Sequence, residues 1–300
     1  MSSSATAVPG SRVRTYASFV RFEHTLFSLP LILAGVFSAP GPAMAPLRWL
    51  WVAIAAVGAR TAGMSLNRLI DRRIDALNPR TKVRELPAGK MKTPEAVALL
   101  VGSTAAYLGA CAVLGPWFLK VAIVPLAVFT LYPYLKRFTP FCHFGVGLAL
   151  ALAPLAGYAA AHPGLEQPQT AFWLGGFALA WVSGFDIIYA TLDEEFDRSH
   201  GIHSMVAWLG RARALQVSWL LHLVAAFALA QVAMGAMLHA PRVLAWAGAA
   251  LGLYCGTLLL LWLEQRWAED VNLAFFQINV WVGVMVLAIV LAARMAAGGF

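Results

Sequence analysis

Residues 49–75 read W-L-W-V-A-I-A-A-V-G-A-R-T-A-G-M-S-L-N-R-L-I-D-R-R-I-D, an apolar run that ends in a charged cluster. The apolar part approaches the roughly 20 residues that a helix needs to cross the hydrocarbon core of a bilayer. It does not alternate every second residue, which excludes a transmembrane β-barrel strand. In lipid, a backbone that is not part of a barrel satisfies its hydrogen bonds only as a helix. The stretch therefore predicts a membrane-spanning helix with an acidic end.

The whole chain has this character. Of its 300 residues 60% are hydrophobic and 12% are charged, which is about half the charged fraction of soluble domains. We predict an all-α integral membrane protein, with residues 1–20 as an N-terminal cytoplasmic tail and residues 21–300 as a single polytopic domain. Nine spans are expected, at about 25–41, 48–68, 94–114, 117–135, 141–161, 171–191, 213–237, 243–263 and 272–296.

The positive residues predict the orientation. Most lysines and arginines fall in the N-terminal tail, in the connection at residues 68–92 and in later loops on the same side, whereas the other side has only Arg48, Lys120, Arg242 and Arg294. Positive residues concentrate in cytoplasmic loops, so the N-terminus is expected in the cytoplasm. The net charge of +8 is thereby assigned to membrane orientation, and no nucleic-acid partner is expected.

Two acidic segments are the candidate functional features. In the first, Asn67, Asp71 and Asp75 would fall within about 80° of one another on a helix and form one polar stripe. In the second, Tyr189, Asp193 and Asp197 would share a similar arc, together with Asp186. The same arrangement therefore occurs twice, each time at the predicted cytoplasmic end of a span.

Carboxylate and amide oxygens are ligands that Mg²⁺ prefers, usually completed by water and substrate phosphate oxygens. Two such stripes facing one cavity could hold two ions around one diphosphate. Nearby cations could neutralise the remaining phosphate charge; they are Arg68, Lys82, Arg84, Lys136 and Arg137. The alternative without a binding function is a pair of solvated helix ends with weak i,i+4 ion pairs. The repeat of the pattern favours a metal–diphosphate site, whereas Glu194 and Glu195 lie off the stripe and are assigned to a solvated face.

Arg60 lies seven residues before Asn67, on the same face but about 10 Å deeper. A charge at that depth needs a cavity or a partner, so Arg60 is a candidate for binding an anionic substrate group, with a structural ion pair as the alternative. Three tyrosines are expected to face the cavity: Tyr132, Tyr158 and Tyr189. His200 and His203 lack ligand spacing, and no metal role is assigned to them.

The motifs resemble those of the UbiA superfamily of intramembrane prenyltransferases. Residues 67–89 are similar to its first motif, N-[DR]-x-x-D-x-x-x-D with an R-x-L-P-x-G-like loop, and residues 189–204 are similar to its second, Y-x-x-x-D-x-x-x-D followed by G-I-H-S. The segments 21–30, 131–137 and 274–279 also resemble the family. Arg68 stands where many members have a second aspartate.

The resemblance implies nine helices around a central cavity and transfer of a polyprenyl group from a polyprenyl diphosphate. It implies that Mg²⁺-diphosphate is bound by Asn67, Asp71, Asp75, Asp193 and Asp197, and that Arg84 and Lys136 contact phosphate. Arg60 occupies a position thought to face the carboxylate of an aromatic acid. The nearest likeness is to the 4-hydroxybenzoate polyprenyltransferase branch, including menaquinone-pathway relatives that use a dihydroxynaphthoate, which places the protein in a bacterial inner membrane.

Two alternatives remain open at this point. Prenylation of a haem, chlorophyll or lipid precursor would use the same metal site with another acceptor, although Arg60 favours an acid. A secondary transporter would also contain intramembrane charges, but they would lie near the middle of the membrane, in broken helices. The residue that accepts the proton from the acceptor ring stays unassigned; Asp193 or another carboxylate of its stripe are the candidates.

Overall fold

The structure is a computed structural model that describes residues 9–21, 25–41, 43–238, 244–268 and 277–297. Within these ranges the regular structure is helical and contains no strand. The helices are α1 (Pro9–Phe19), α2 (Thr25–Val36), α3 (Pro46–Leu77), α4 (Thr93–Leu114), α5 (Pro116–Val121), α6 (Ile123–Leu135), α7 (Cys142–Ala161), α8 (Gln169–Ala190), α9 (Glu194–Ser199), α10 (Met205–Leu209), α11 (Arg211–Leu238), α12 (Leu244–Arg266) and α13 (Asn279–Ala297).

Eight helical segments in the described part of the chain are long and apolar enough to cross a membrane. The predicted all-α membrane fold is therefore confirmed, but the count of nine is not. The first predicted span, 25–41, contains only the 12-residue helix α2, about 18 Å long and thus shorter than the roughly 30 Å hydrocarbon core. Pro40 lies soon after the end of this helix, and residues 22–24 before it lie outside the described ranges. The cytoplasmic N-terminus stays a prediction, as does the division into residues 1–20 and 21–300.

One compact unit comprises residues 1–23 and 53–133. Its apolar core joins α3, α4 and the α5–α6 junction through Tyr107, Cys111 and Ala122. The Tyr107 hydroxyl donates to the Ala122 carbonyl at 3.3 Å, at the break that divides the predicted span 117–135 into two helices. Helix α1 packs into the same unit because Phe19 is fully buried against Met91. The predicted tail is thus partly an ordered helix.

The second compact unit comprises residues 24–52 and 134–300, and α8 forms its centre. Helix α8 packs against both α7 and α11. Phe177, Trp181 and Phe185 follow one another along its buried face, with ring centroids 5.3 and 5.5 Å apart. This apolar core holds α8 in place, and the second acidic segment begins where α8 ends.

A polar cluster is enclosed within the same unit. Glu264 is 0% and His222 is 1% exposed, and His222 Nε2 lies 3.8 Å from a Glu264 carboxylate oxygen. The Gln265 amide nitrogen lies 2.7 Å from Ser218 Oγ and 3.0 Å from His222 Nδ1. Because burying polar groups is costly unless they bind one another, this cluster fixes how α11 and α12 face each other.

Close contact between α2 and α7 depends on Gly35. A Cβ added there would overlap the backbone carbonyl of Pro154, which cannot rotate away. Small residues at helix contacts allow such close approach in membranes.

Gly35→Ala is expected to destabilise the fold by about 1–3 kcal/mol, measured as a lower midpoint of thermal unfolding in detergent. The matched control is Gly102→Ala in α4, where a Cβ would meet nothing within 4 Å; an equal midpoint for both variants would contradict this account of the packing.

Candidate active site

The first acidic segment lies at the end of α3. The predicted span stopped at residue 68, but the helix continues to Leu77 over 32 residues, so Asn67, Asp71 and Asp75 do share one helical face. The Asn67 amide donates to Asp71 Oδ2 at 3.4 Å. Asp71 is only 1% and Asp75 only 4% exposed, although both lie in the most charged part of the chain. Carboxylates buried to this degree do not fit the alternative of a solvated helix end.

Arg84 binds Asp75. One Arg84 nitrogen, Nη1, donates to both carboxylate oxygens of Asp75, at 2.8 and 2.9 Å. The loop that carries Arg84 is folded back onto the helix end, where the Thr81 hydroxyl donates to the Asp75 carbonyl at 3.1 Å. In this structure the guanidinium therefore provides the positive charge next to a predicted metal ligand. The predicted contact of Arg84 with phosphate stays a prediction.

Arg68 is enclosed by other parts of the first unit. It is 4% exposed, its Nε donates to the Phe19 carbonyl at 3.3 Å, and its Nη2 lies 4.0 Å from Glu85. The Ser18 hydroxyl donates to the same Glu85 carboxylate at 2.6 Å. These contacts assign Arg68 to holding α1 against the loop after α3. Its predicted role in substrate binding stays a prediction.

Arg60 is half-buried within α3. Its Nη2 donates to the Arg21 carbonyl at 3.0 Å, so part of the guanidinium already has a structural partner inside the first unit. Arg21 lies in the segment 21–30 that resembles the family, of which residues 22–24 lie outside the described ranges. The predicted role of Arg60 with an acidic substrate stays a prediction.

The second acidic segment is not one continuous α-helix, which corrects the predicted stripe. Helix α8 ends at Ala190, a 3₁₀ turn covers Thr191–Asp193, and α9 begins at Glu194. The Thr191 hydroxyl donates to the Ile188 carbonyl at 2.7 Å, which is a local bond that competes with regular helix geometry. A 3₁₀ turn advances about 120° per residue instead of 100°, so its three residues shift Asp193 and Asp197 by roughly 60° from the positions that an unbroken α-helix would give them.

The acidic side chains of this segment differ in exposure. Asp197 is 8% exposed, while Asp193 is half-buried. Glu195 is exposed, as expected for a solvated face, and Glu194 pairs with Arg198 at 3.2 Å. A shallow open crevice beside Glu194 and Arg198 is lined by these solvated residues and not by Asp193 or Asp197.

Sequence reasoning missed the partner of Asp186. His143 Nδ1 lies 2.7 Å from Asp186 Oδ2, and His143 is 3% exposed near the start of α7. The sequence contained one signal for this residue, since an ionisable side chain inside an apolar span needs a partner. The spacing of the carboxylates alone does not point to it.

The remaining predicted substrate residues are placed as follows. Lys136 is half-buried, and its carbonyl accepts the His203 N–H at 2.7 Å. Arg137 is exposed and lies over the Tyr134 ring at 4.8 Å. Tyr132 and Tyr189 are half-buried. Tyr158 differs from the expectation, because its hydroxyl donates to the Glu166 carbonyl and its ring stacks on His162; it lies 15 residues after His143, about 22 Å along α7, at the end opposite to the acidic segment.

The donors present fit Mg²⁺ better than a transition metal. Asp71 and Asp75 with the Asn67 amide in the first unit, and Asp193 and Asp197 in the second, offer only oxygen ligands. Within the described ranges, no group of three or more His, Cys, Asp or Glu side chains forms a metal site by itself. An ion at either segment would therefore need further oxygens, from water or a phosphate, as is usual for Mg²⁺.

The comparisons with known proteins identify the chain. It matches the UbiA prenyltransferase family over residues 28–282. It is 30% identical over 208 residues to a 4-hydroxybenzoate octaprenyltransferase of Shewanella denitrificans, covering 67% of this chain and 69% of the relative. The apo structure of a UbiA homologue from Aeropyrum pernix K1 is 33% identical, with a TM-score of 0.77 over 88% of this chain and 95% of that one.

A UbiA homologue from Archaeoglobus fulgidus, solved with GPP and Mg²⁺, has a TM-score of 0.71 over 94% of this chain and 99% of that one. At 19% identity this likeness shows the fold alone. Membrane-spanning helices, buried aspartates at the end of α3 and the family match together define a membrane-embedded transferase. The chain belongs to the UbiA prenyltransferase family, and the predicted prenyltransferase class is confirmed.

Proposed function

We propose that this protein transfers a polyprenyl group from a polyprenyl diphosphate to an aromatic acid, with Mg²⁺ as cofactor. The acceptor is of the 4-hydroxybenzoate or 1,4-dihydroxy-6-naphthoate type, which places the reaction in ubiquinone or menaquinone biosynthesis. The observation that carries the proposal is the burial of Asp71 and Asp75 at the end of α3, in a chain of this family. The 4-hydroxybenzoate octaprenyltransferases among its relatives support the acceptor class.

Each acidic segment has a role in this proposal. The proposed ligands of Mg²⁺, and through it of the diphosphate, are Asn67, Asp71 and Asp75 in the first segment and Asp193 and Asp197 in the second. A UbiA homologue has been solved with GPP and Mg²⁺ bound. Bound magnesium offsets the negative charge that develops on the leaving diphosphate. Arg84 and Lys136 would bind phosphate oxygens. Because Arg84 is already paired with Asp75, it would exchange this carboxylate for phosphate when the cation arrives.

The reaction then follows from charge and solvent exclusion. The bond between C1 of the allylic chain and the diphosphate oxygen breaks with its electron pair on the diphosphate. The ring carbon ortho to the phenol hydroxyl then bonds to C1 and loses its proton to a base. The apolar helices keep water from the allylic cation, and the bilayer accepts the isoprenoid tail. The distribution of lysine and arginine supports an inner-membrane protein with its site on the cytoplasmic side.

The decisive experiment offers both acceptors in parallel. Membranes containing the protein would be incubated with labelled polyprenyl diphosphate and Mg²⁺, with 4-hydroxybenzoate or with 1,4-dihydroxy-6-naphthoate. One acceptor is expected to become a lipid-soluble labelled product, and that acceptor names the pathway. Membranes without the protein are the control, and failure of both acceptors would overturn the aromatic assignment.

Arg60 gives a prediction about the acceptor. Arg60→Ala is expected to raise KM for the aromatic acid about tenfold, since a hydrogen bond to a charged group contributes about 1.5–3 kcal/mol, and to change KM for the diphosphate less. Steady-state kinetics with each substrate varied would measure both constants. Arg72→Ala, an exposed arginine on the same helix, is the matched control. An unchanged KM for the acid would show that Arg60 has only a structural role, which is its hydrogen bond to the Arg21 carbonyl.

A further inference from the structure

The His143–Asp186 pair has a defined protonation pattern. The backbone N–H of Met205 donates to His143 Nε2 at 3.2 Å, so this ring nitrogen is an acceptor and carries no proton. The proton of the neutral imidazole is therefore on Nδ1 and is donated to Asp186 Oδ2 at 2.7 Å. The pair is a neutral histidine bound to a carboxylate, with its tautomer set by a backbone group.

The position of His143 is also fixed through its neighbours. The Cys142 thiol donates to the His203 carbonyl at 3.4 Å, and the His203 N–H donates to the Lys136 carbonyl at 2.7 Å. These bonds join the first residue of α7, and the loop before α7, to the loop before α10. The ring is thus held from α7 and from α10 while it contacts α8, an arrangement that restricts Asp186 to one orientation.

The His143–Asp186 pair is more accessible than the His222–Glu264 pair of the same unit. The side chains of Glu264 and His222 are each 1% exposed, so no substrate can touch them. In contrast, the Asp186 side chain is 24% exposed although its histidine is 3% exposed. The carboxylate is bound by an enclosed imidazole and still has an exposed part, which a reacting molecule can contact.

The distance of Asp186 from Asp193 along the helix axis indicates that Asp186 acts on the acceptor and not on the diphosphate. From Asp186 to Asp193 the chain has four residues in α8 and three in the 3₁₀ turn, which is about 12 Å along the axis. The acceptor ring has to lie on the side of C1 away from the diphosphate. A carboxylate set back from Asp193 by this distance can reach the ring, whereas Asp193 would be engaged with the metal.

We propose that Asp186 is the catalytic base of the prenyl transfer and that His143 is its positioning residue. The inference rests on the proposed function and deepens it. The C1–oxygen bond breaks with its electron pair on the diphosphate, a ring carbon forms the new bond to C1, and the proton of that carbon passes to Asp186. The imidazole keeps its Nδ1–H and holds the carboxylate in place throughout.

The first test uses Asp186→Asn with 4-hydroxybenzoate that carries deuterium at both carbons ortho to the hydroxyl. Loss of a general base is expected to lower kcat about a hundredfold, with the KM values little changed. Proton removal should then limit the rate, so a primary deuterium isotope effect should appear that the wild type lacks. Wild-type kcat, or a lower kcat without an isotope effect, would overturn the assignment.

A second measurement shows whether the metal site of the variant is intact. Ionisation of the allylic diphosphate can be followed by the movement of ¹⁸O from the bridging position of C1 into the non-bridging phosphate positions. Asp186→Asn is expected to retain this exchange and Asp193→Asn to lose it. Loss of exchange in Asp186→Asn would place Asp186 with the diphosphate and overturn its role as base. If the wild-type protein prenylates neither aromatic acid, the proposed function itself fails, which is a distinct outcome.

His143 is tested by a conservative pair of variants. His143→Asn keeps an N–H donor near the position of Nδ1, whereas His143→Leu keeps the volume and removes the donor. His143→Leu is expected to lower kcat about tenfold, as for other groups that orient a reactive side chain, and to reveal the same isotope effect. His143→Asn should recover most of the rate. Equal losses in the two variants, or no isotope effect in either, would make His143 a packing residue only.

Discussion

Asp71→Asn is expected to reduce the rate of prenyl transfer at least about a hundredfold while the protein stays folded. Asparagine has the shape of aspartate and can keep the contact with Asn67 that is present at 3.4 Å, but it loses the negative charge that binds a cation. Because Asp71 is 1% exposed and burying a carboxylate is costly, the variant should unfold at the same or a higher temperature. Product formation and thermal unfolding in detergent measure the two effects.

The same loss is expected for Asp193→Asn in the second acidic segment. Glu195→Gln is the matched control, because it makes the same change from acid to amide two residues away, on an exposed side chain. Its turnover should equal that of the wild type. Wild-type turnover in Asp71→Asn or Asp193→Asn would remove that aspartate from the metal site.

Removal of divalent metal should have the largest effect of all. With excess EDTA the charge on the leaving diphosphate is no longer offset; a loss of about 4 kcal/mol of transition-state stabilisation lowers the rate about a thousandfold. Added Mg²⁺ in excess of the chelator should restore the activity. Ca²⁺ should restore much less, because its oxygen ligands lie at about 2.3–2.6 Å instead of about 2.0–2.1 Å.

The folded state provides the control for this experiment. Arg84 already supplies a positive charge to Asp75, so EDTA is expected to leave the unfolding temperature without substrate nearly unchanged. Activity that persists after chelation and gel filtration would contradict the magnesium proposal. A large fall in the unfolding temperature would instead assign the metal a role in stability.

The sequence predicted the parts of this protein that depend on local chain properties. Hydropathy predicted helical spans, and the four-residue spacing predicted that Asn67, Asp71 and Asp75 share a face, which α3 confirms by continuing to Leu77. The motifs predicted the family. These predictions succeed because burial in lipid and the helical repeat act on residues that are neighbours in the chain.

The spacing and hydropathy of the sequence predicted the structure less well where the backbone departs from a regular helix. The spacing of the second segment predicted one stripe on a continuous α-helix, yet a 3₁₀ turn at Thr191–Asp193 interrupts that helix before the last aspartate. Likewise α2, with 12 residues, is shorter than its apolar run. Apolar composition sets where a chain can lie in lipid, but hydrogen bonds at the helix ends decide where the helix stops.

Only the tertiary structure decided which partners the charged side chains have. Arg68 is paired with Glu85 and with the carbonyl of Phe19, partners that its sequence position did not indicate. The packing of α7 against α8 places His143 beside Asp186. His143 and Asp186 are 43 positions apart, so no periodicity relates them. The composition and spacing of the sequence determined which groups are available for catalysis. Helix packing determined which of these groups are neutralised, which are oriented and which are left accessible. The physical reason is that the free energy of a buried charge depends on its nearest partner in space.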